Sequence, residues 1–134
     1  MPEDEIGLIR DGYDAINRGD FEAVSELFDP DAEVVSSGVF LDPGAVYQGV
    51  IAAQAFIANL RDAFDELEYV VKDIREGSDG RYLVSVRLRG RGRTSGIEAD
   101  TPMHHVITVR GGRVARILAI ADETEARRAA GLSD

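Results

Sequence analysis

Residues 103–121 read MHHVITVRGGRVARILAIA. Gly111-Gly112 is a two-residue hairpin signal set between β-branched runs, so Met103 to Arg110 and Arg113 to Ala121 are expected to pair as antiparallel strands. Working upstream, the period of two continues. Arg81 to about Arg93 reads as a long strand, Gly77-Ser-Asp-Gly80 as a turn, and Tyr69-Val-Val-Lys-Asp-Ile-Arg75 as the strand before it.

The first half of the chain has a different period. Ile6, Ile9, Tyr13 and Ile16 recur at three- and four-residue spacing with charges between them, the pattern of an amphipathic helix of roughly three turns. It ends near Asn17-Arg18-Gly19, where glycine can take the left-handed conformation that closes a helix. Asp20 can cap a short second helix bearing Phe21, Val24, Leu27 and Phe28, and Asp29-Pro30-Asp31 breaks it. A strand is expected over Glu33 to Ser37, a loop over Val39 to Gly49, a third helix over about Val50 to Leu67, and a short last helix over Glu123 to Ala130. Helices first and an antiparallel meander after them define an α+β fold, with three N-terminal helices packed on one face of a curved, mostly antiparallel sheet. Such a cone-shaped roll opens at one end, a natural place for an apolar pocket.

Composition narrows the function. The 134 residues suit one domain, 1–134, with one core. A net charge of −10 repels phosphate backbones and anionic lipid, which argues against nucleic-acid and membrane partners. No cysteine is present, so disulfides, thiolate catalysis and cysteine-based metal sites are excluded. No His-Glu-x-x-His motif, nucleotide fingerprint or phosphate-loop glycine pattern occurs, and no metal or cofactor is expected. The acidic start MPEDEIG lacks the basic region of a signal peptide, and the expected location is cytoplasmic.

The segments YDAINRGDFEAVSELFDPDAEV (13–34), YQGVIAAQAFIANL (47–60), PMHHVITVRGGRVARI (102–117) and DETEARRAAGL (122–132) carry a resemblance. The chain resembles the nuclear transport factor 2-like superfamily, in particular its SnoaL-like branch. Three enzyme groups within that superfamily imply different sites. Against ketosteroid isomerases, the base position falls on Ser36, the oxyanion tyrosine on Gly12 beside Tyr13, and the protonated aspartate on His104, so that set is absent. Against limonene epoxide hydrolases, Asp122 and Arg87 match two members of an Asp-Arg-Asp set, and Arg89 stands where the other aspartate belongs. Against SnoaL-type cyclases, Asp122 and His104 or His105 can supply an aspartate and a nearby histidine. The resemblance also implies a homodimer paired through the sheet.

The two histidines are adjacent, and adjacent strand residues face opposite ways, so they cannot share one pocket or one metal. The isomerase alignment points His104 into the cavity and His105 outward or toward a dimer partner. His104 is then the best-placed general acid or base, with Asp122 as its partner; the competing readings are a hydrogen-bonded imidazole and a helix N-cap. Tyr13, Ser36, Tyr47, Phe56, Leu60 and Arg87 are the candidate substrate contacts. Arg87, Arg89, Arg91 and Arg93 alternate on one strand and read either as a solvated or dimer-facing stripe paired with acids, or as an anion clamp. Two functions follow: cofactor-free acid/base catalysis of the cyclase, isomerase or hydrolase type on a small hydrophobic oxygenated molecule, or a non-catalytic ligand-binding or dimerisation module.

Overall fold

A computed structural model describes residues 2–36, 46–49 and 64–132, together with positions 51, 55, 58 and 62. The chain forms an α+β fold with this order of elements: α1 (Pro2–Arg18), α2 (Phe21–Glu26), β1 (Phe28–Ser36), β2 (Val46–Gln48), β3 (Phe64–Glu76), β4 (Arg81–Gly92), β5 (Glu98–Arg110), β6 (Arg113–Ile120) and α3 (Glu123–Ala129). The sheet runs β2-β1-β6-β5-β4-β3. β3 to β6 are the antiparallel meander, while β1 returns to lie parallel to β6.

α1 and α2 form where the periodicity placed them. Glu3, Asp4 and Glu5 in the first turn of α1 and Arg18 in its last complement the helix dipole. Gly19, at φ +75°, ends the helix, and the amides of Gly19 and Asp20 close back on the carbonyls of Ile16 and Ala15. Asp20 caps α2 by accepting from the amide of Ala23 at 3.2 Å. Positions 51, 55, 58 and 62 are helical, and the remainder of the expected third helix lies outside the described residues, Phe56 and Leu60 included.

Three boundaries differ from expectation. β1 begins at Phe28, so Asp29-Pro30-Asp31 continues the strand; its pairing with β6 is irregular between Phe28 and Glu33, where a proline removes no ladder bond. Val46–Gln48, expected as loop, is a short strand on β1. Phe64 to Leu67, expected as the end of a helix, opens β3. There Glu66 takes φ +55° and the register with β4 shifts between Asp65 and Glu68, a bulge that local hydrophobic spacing does not announce.

The helices also do not all share one face. α1 and α2 cover a core made by Tyr82, Val84, Val86 and Leu88 of β4 with Met103, Ile107 and Val109 of β5. α3 lies on the opposite face, where Ala126 and Ala130 pack on Leu83, Val106 and Ile120. The C-terminal end of α3 is fastened to the β3–β4 turn: Arg81 donates from Nη1 to the carbonyl of Ala129 at 2.7 Å and from Nε to that of Ser78 at 2.9 Å, and the amide of Ser78 donates to Ala130 at 3.0 Å.

A Cβ at Gly77 would sit inside the contact radius of the Ala130 carbonyl oxygen, whereas one at Gly7, within α1, meets nothing within 4 Å. Gly77→Ala is therefore expected to destabilise the protein by about 1–3 kcal/mol, and Gly7→Ala to stabilise it by roughly 0.5–1 kcal/mol. Urea unfolding of the two variants beside the parent checks both signs.

Candidate functional site

β5 is the strand that carries both imidazoles, and its register settles where they point. His105 pairs with Val84 and Ala119, on the face covered by α1; His104 pairs with Ser85 and Ile120, on the face that carries α3. His105 is 2% exposed and His104 half-buried. The orientation expected from the isomerase alignment is thus reversed. Nδ1 of His104 lies 3.2 Å from Oγ of Ser85, away from the helical layer.

Around His105 the structure assembles a compact polar centre. The Tyr13 hydroxyl of α1 lies 2.6 Å from its Nδ1. The two rings are parallel to within 2° with centroids 5.9 Å apart, the separation of a head-to-head bond. Tyr69 of β3 presents itself edgewise to both, with centroids 5.5 Å from Tyr13 and 5.6 Å from His105, an arrangement favoured by the ring quadrupoles. Tyr69 is itself held by Asn17, one turn beyond Tyr13 on α1. Asn17 Nδ2 donates to the Tyr69 carbonyl at 2.9 Å, and its Oδ1 accepts from the Tyr69 amide at 2.7 Å. The side-chain amide thereby occupies the position of a neighbouring strand at the edge of the sheet.

Burial sets the protonation of this centre. It lowers the pKa of His105 from 6.5 to about 4, and a lesser contribution comes from the charge His104 can carry next door. Tyr13 is pushed well above its usual range by burial first and by Tyr69 second, and Tyr69 is raised by burial. At neutral pH all three groups are uncharged.

The centre borders an apolar cavity of about 40 Å³ between α1, α2 and the sheet, whose wall includes Ile9, Ile16, Val24, Phe28 and Ile117 beside Tyr13 and His105. Gly12, Leu8 and Leu27, all half-buried, stand at its rim. The volume accommodates a few water molecules and is far below the roughly 300 Å³ of a drug-sized site.

The other candidate residues are dispersed. Arg87 is on the α3 face of the sheet, where its Nε donates to Asp100 Oδ1 at 2.6 Å; it is a half-exposed ion pair and does not reach the cavity, contrary to its expected substrate contact. Arg91 and Arg93 pair with Glu98 and Asp65, so the stripe is largely a solvated one. Asp122 is exposed and caps α3 by accepting from the amide of Thr124 at 2.9 Å. Ser36 pairs in register with Ala119, the same row as His105 two strands away, and Tyr47 pairs with Val34; their side chains, with Phe56 and Leu60, lie outside the described residues. Among the described residues no group of three or more His, Asp or Glu side chains is arranged to hold a metal.

The site residues missed were His105 as the inward imidazole and Tyr69 as its neighbour. A signal for the first was present. Around it on β5 the odd positions Met103, Ile107 and Val109 are apolar, as is Ala99, while the even positions include Glu98, Asp100, Thr108 and Arg110. That parity assigns His105 to the core. Nothing in the local pattern distinguishes Tyr69 from an ordinary strand aromatic.

This fold is that of a known class. The family described as the SnoaL-like domain matches residues 9–117, and the chain belongs to it. Uncharacterised proteins of Mycobacterium tuberculosis and Mycobacterium bovis are 28% identical over 114 residues, covering 84% of this chain and 85% of theirs. Among solved structures, Bal32a, from a soil-derived mobile gene cassette, superimposes with a TM-score of 0.78 at 23% identity over 92% of this chain and 93% of that one. SalBIII, an epoxide hydrolase/cyclase-like enzyme with a role in pyran ring formation in the polyether salinomycin, superimposes with a TM-score of 0.76 at 16% identity over 92% and 94%.

The lowered pKa of His105 has a consequence for stability. Between pH 6.5 and about 4 the unfolded chain binds a proton at this position that the folded chain excludes. Stability therefore rises with pH across that window and falls as the pH drops toward 4, by on the order of 3 kcal/mol from this group alone. His105→Asn keeps a neutral acceptor for Tyr13 and cannot titrate. Its loss of stability between pH 7 and pH 4.5 is expected to be smaller than the parent's, measured by urea unfolding at each pH. Tyr13→Phe removes the only hydrogen-bond partner of His105 among the described residues and is expected to cost about 1–3 kcal/mol at pH 7.

Proposed function

We propose that the protein binds a small hydrophobic oxygenated molecule between the helical layer and the sheet, and that the Tyr13–His105 pair supplies the polar group for cofactor-free proton chemistry of the cyclase, isomerase or hydrolase type. The observation that carries this reading is the buried 2.6 Å bond between a neutral phenol and a neutral imidazole at the wall of an apolar cavity. A core position filled only for packing has no use for an imidazole, whose burial has a cost unless its nitrogens are matched. The ring-forming enzyme SalBIII, on the same fold, supports the reaction class. The polar site first expected at His104, Asp122 and Arg87 is reassigned to His105 and Tyr13, because those three side chains are engaged elsewhere.

A second reading, a ligand-binding module without catalysis, is favoured by the cavity's small volume. Both readings include a homodimer formed through the α3 face of the sheet, where Val35, His104 and Leu118 remain half-buried beside that helix. Sedimentation showing only monomer at micromolar concentration would count against the dimer.

The test is a panel of cyclic ketones, lactones and epoxides, screened by ligand-observed NMR and then for product. His105→Gln and the plugging variant Gly12→Leu, which projects a side chain toward Leu27 at the rim, are expected to weaken binding by tenfold or more. His104→Ala and Asp122→Asn are expected to stay within about twofold. Turnover of a bound compound that disappears in His105→Gln supports catalysis, and binding without turnover supports the module. If His104→Ala abolishes an activity that His105→Gln retains, the proposal is wrong.

A further inference from the structure

Resting on the ligand site just described, we propose that His105 serves it as a hydrogen-bond donor through Nε2–H, locked in that tautomer by the Tyr13 hydroxyl, so that the site selects neutral molecules carrying an acceptor oxygen over carboxylates and amines.

The bond between Tyr13 and Nδ1 can hold its proton in two ways. If the phenol donates, Nδ1 accepts and Nε2 carries the ring's only hydrogen. The phenol hydrogen and Nδ1 are then matched to each other. If Nδ1–H donates instead, the phenol keeps its own hydrogen, because burial makes its ionisation unfavourable. That hydrogen then needs a second acceptor. Among the described residues Tyr13 has no hydrogen-bond partner other than His105. The second arrangement thus leaves two polar atoms unmatched, the hydroxyl hydrogen and the Nε2 lone pair, against the single Nε2–H of the first, and is disfavoured on that count. The first arrangement leaves Nε2–H with no partner among the described residues, on a side chain that forms part of the cavity wall.

The surroundings keep the donor neutral. The groups that face the ring are Tyr13 from α1, Tyr69 from β3, and Val84 and Ala119 from the flanking strands; His104 is on the other face of β5. No carboxylate among the described residues touches the imidazole, so nothing there draws a second proton onto it or takes one from it. A neutral imidazole of this kind is a poor source of a transferred proton. It is a good donor to an oxygen that becomes more negative, and the hydrogen stays on Nε2 throughout.

The same surroundings set the ligand's charge. Apart from Tyr13 and His105, the described wall consists of glycine and apolar side chains. A carboxylate would lose its hydration there without meeting a cation, and an ammonium would meet no anion. A ketone, quinone, lactone or epoxide brings an acceptor oxygen and no charge. The tyrosine thus determines what the histidine offers: a partner carboxylate in its place would have made a base and favoured acidic protons, whereas a phenol makes a donor and favours acceptor oxygens.

Ring nitrogen–proton correlation NMR on the full ¹⁵N-labelled chain at pH 7 reads the tautomer directly. The expected spectrum shows His105 with Nε2 protonated and Nδ1 bare, and Tyr13→Phe redistributes the proton between the two nitrogens. Cyclohexanone is expected to shift the Nε2–H resonance and to bind at least tenfold more tightly than cyclohexanecarboxylate. A parent spectrum with Nδ1 protonated, or with both tautomers populated, overturns the proposal while leaving the ligand site intact. Equal binding of the carboxylate overturns the charge selection. An Nε2–H tautomer with no shift from the cyclohexanone probe overturns the ligand site itself and the selection with it.

Discussion

The Tyr13–His105 hydrogen bond joins the helical layer to the middle of the sheet, and the character of the site depends on it. Burial holds an imidazole 2% exposed in its neutral form, and a neutral imidazole left with neither nitrogen matched would be destabilising. The sequence offers one nearby partner of the right length. Tyr13 reaches His105 because α1 crosses the sheet at that point, and α1 crosses there because Ile9, Ala15 and Ile16 bury their side chains on the face made by Tyr82, Val84 and Val86. The apolar contacts bring the helix to the sheet. The polar bond fixes its rotation and height, since a shift of one residue along α1 would leave two buried groups unmatched.

β5 shows why the position of the site was harder to read than the fold. The meander, its turns and the first two helices followed from periodicity, from Gly111-Gly112 and from the Gly19 stop, because each is a local signal with a local cause. The face of His104 and His105 is not local in that sense. β5 is covered by α1 on one side and α3 on the other, so Val106, Ile107, Thr108 and Val109 are all buried and the strand reads as a nearly unbroken apolar run. In such a strand an alignment that slips by one residue exchanges the faces. The inward role expected of His104 belongs to His105, and Arg87 of β4 points away from the cavity. Parity over the whole of β5 favours His105 inside, and it was the better guide than a distant enzyme's active site.

Placing α3 on the far face has a related cause. Its short stripe, Ala126 and Ala130, suits any apolar surface, and nothing in seven residues says which side of the sheet will supply it. The choice follows from the end of β6: Ile120 closes the strand with its side chain on the side of Leu83 and Val106, and Asp122 caps the helix immediately after, so α3 must continue over that surface. The same cap uses up the Asp122 carboxylate that resemblance had suggested for chemistry.

The attachments of α1 explain why polar groups rather than additional apolar ones hold this layer. Three contacts run along one side of the helix: Glu5 accepts from the Tyr82 hydroxyl at 2.6 Å, Tyr13 bonds His105, and Asn17 matches both backbone groups of Tyr69. Glu5, Tyr13 and Asn17 are eight and four residues apart, so all three lie within about a third of the helix circumference. A purely apolar seam is less directional, since Ile9 and Ile16, seven residues or about two turns apart, present similar surfaces. Directional bonds at three heights do not tolerate rotation or sliding. They also leave a gap in the apolar packing beside Gly12, where α1 has no side chain to fill the space next to Leu27. That gap is part of the apolar cavity, so the helix position that satisfies Glu5, Tyr13 and Asn17 is also one that leaves the cavity open.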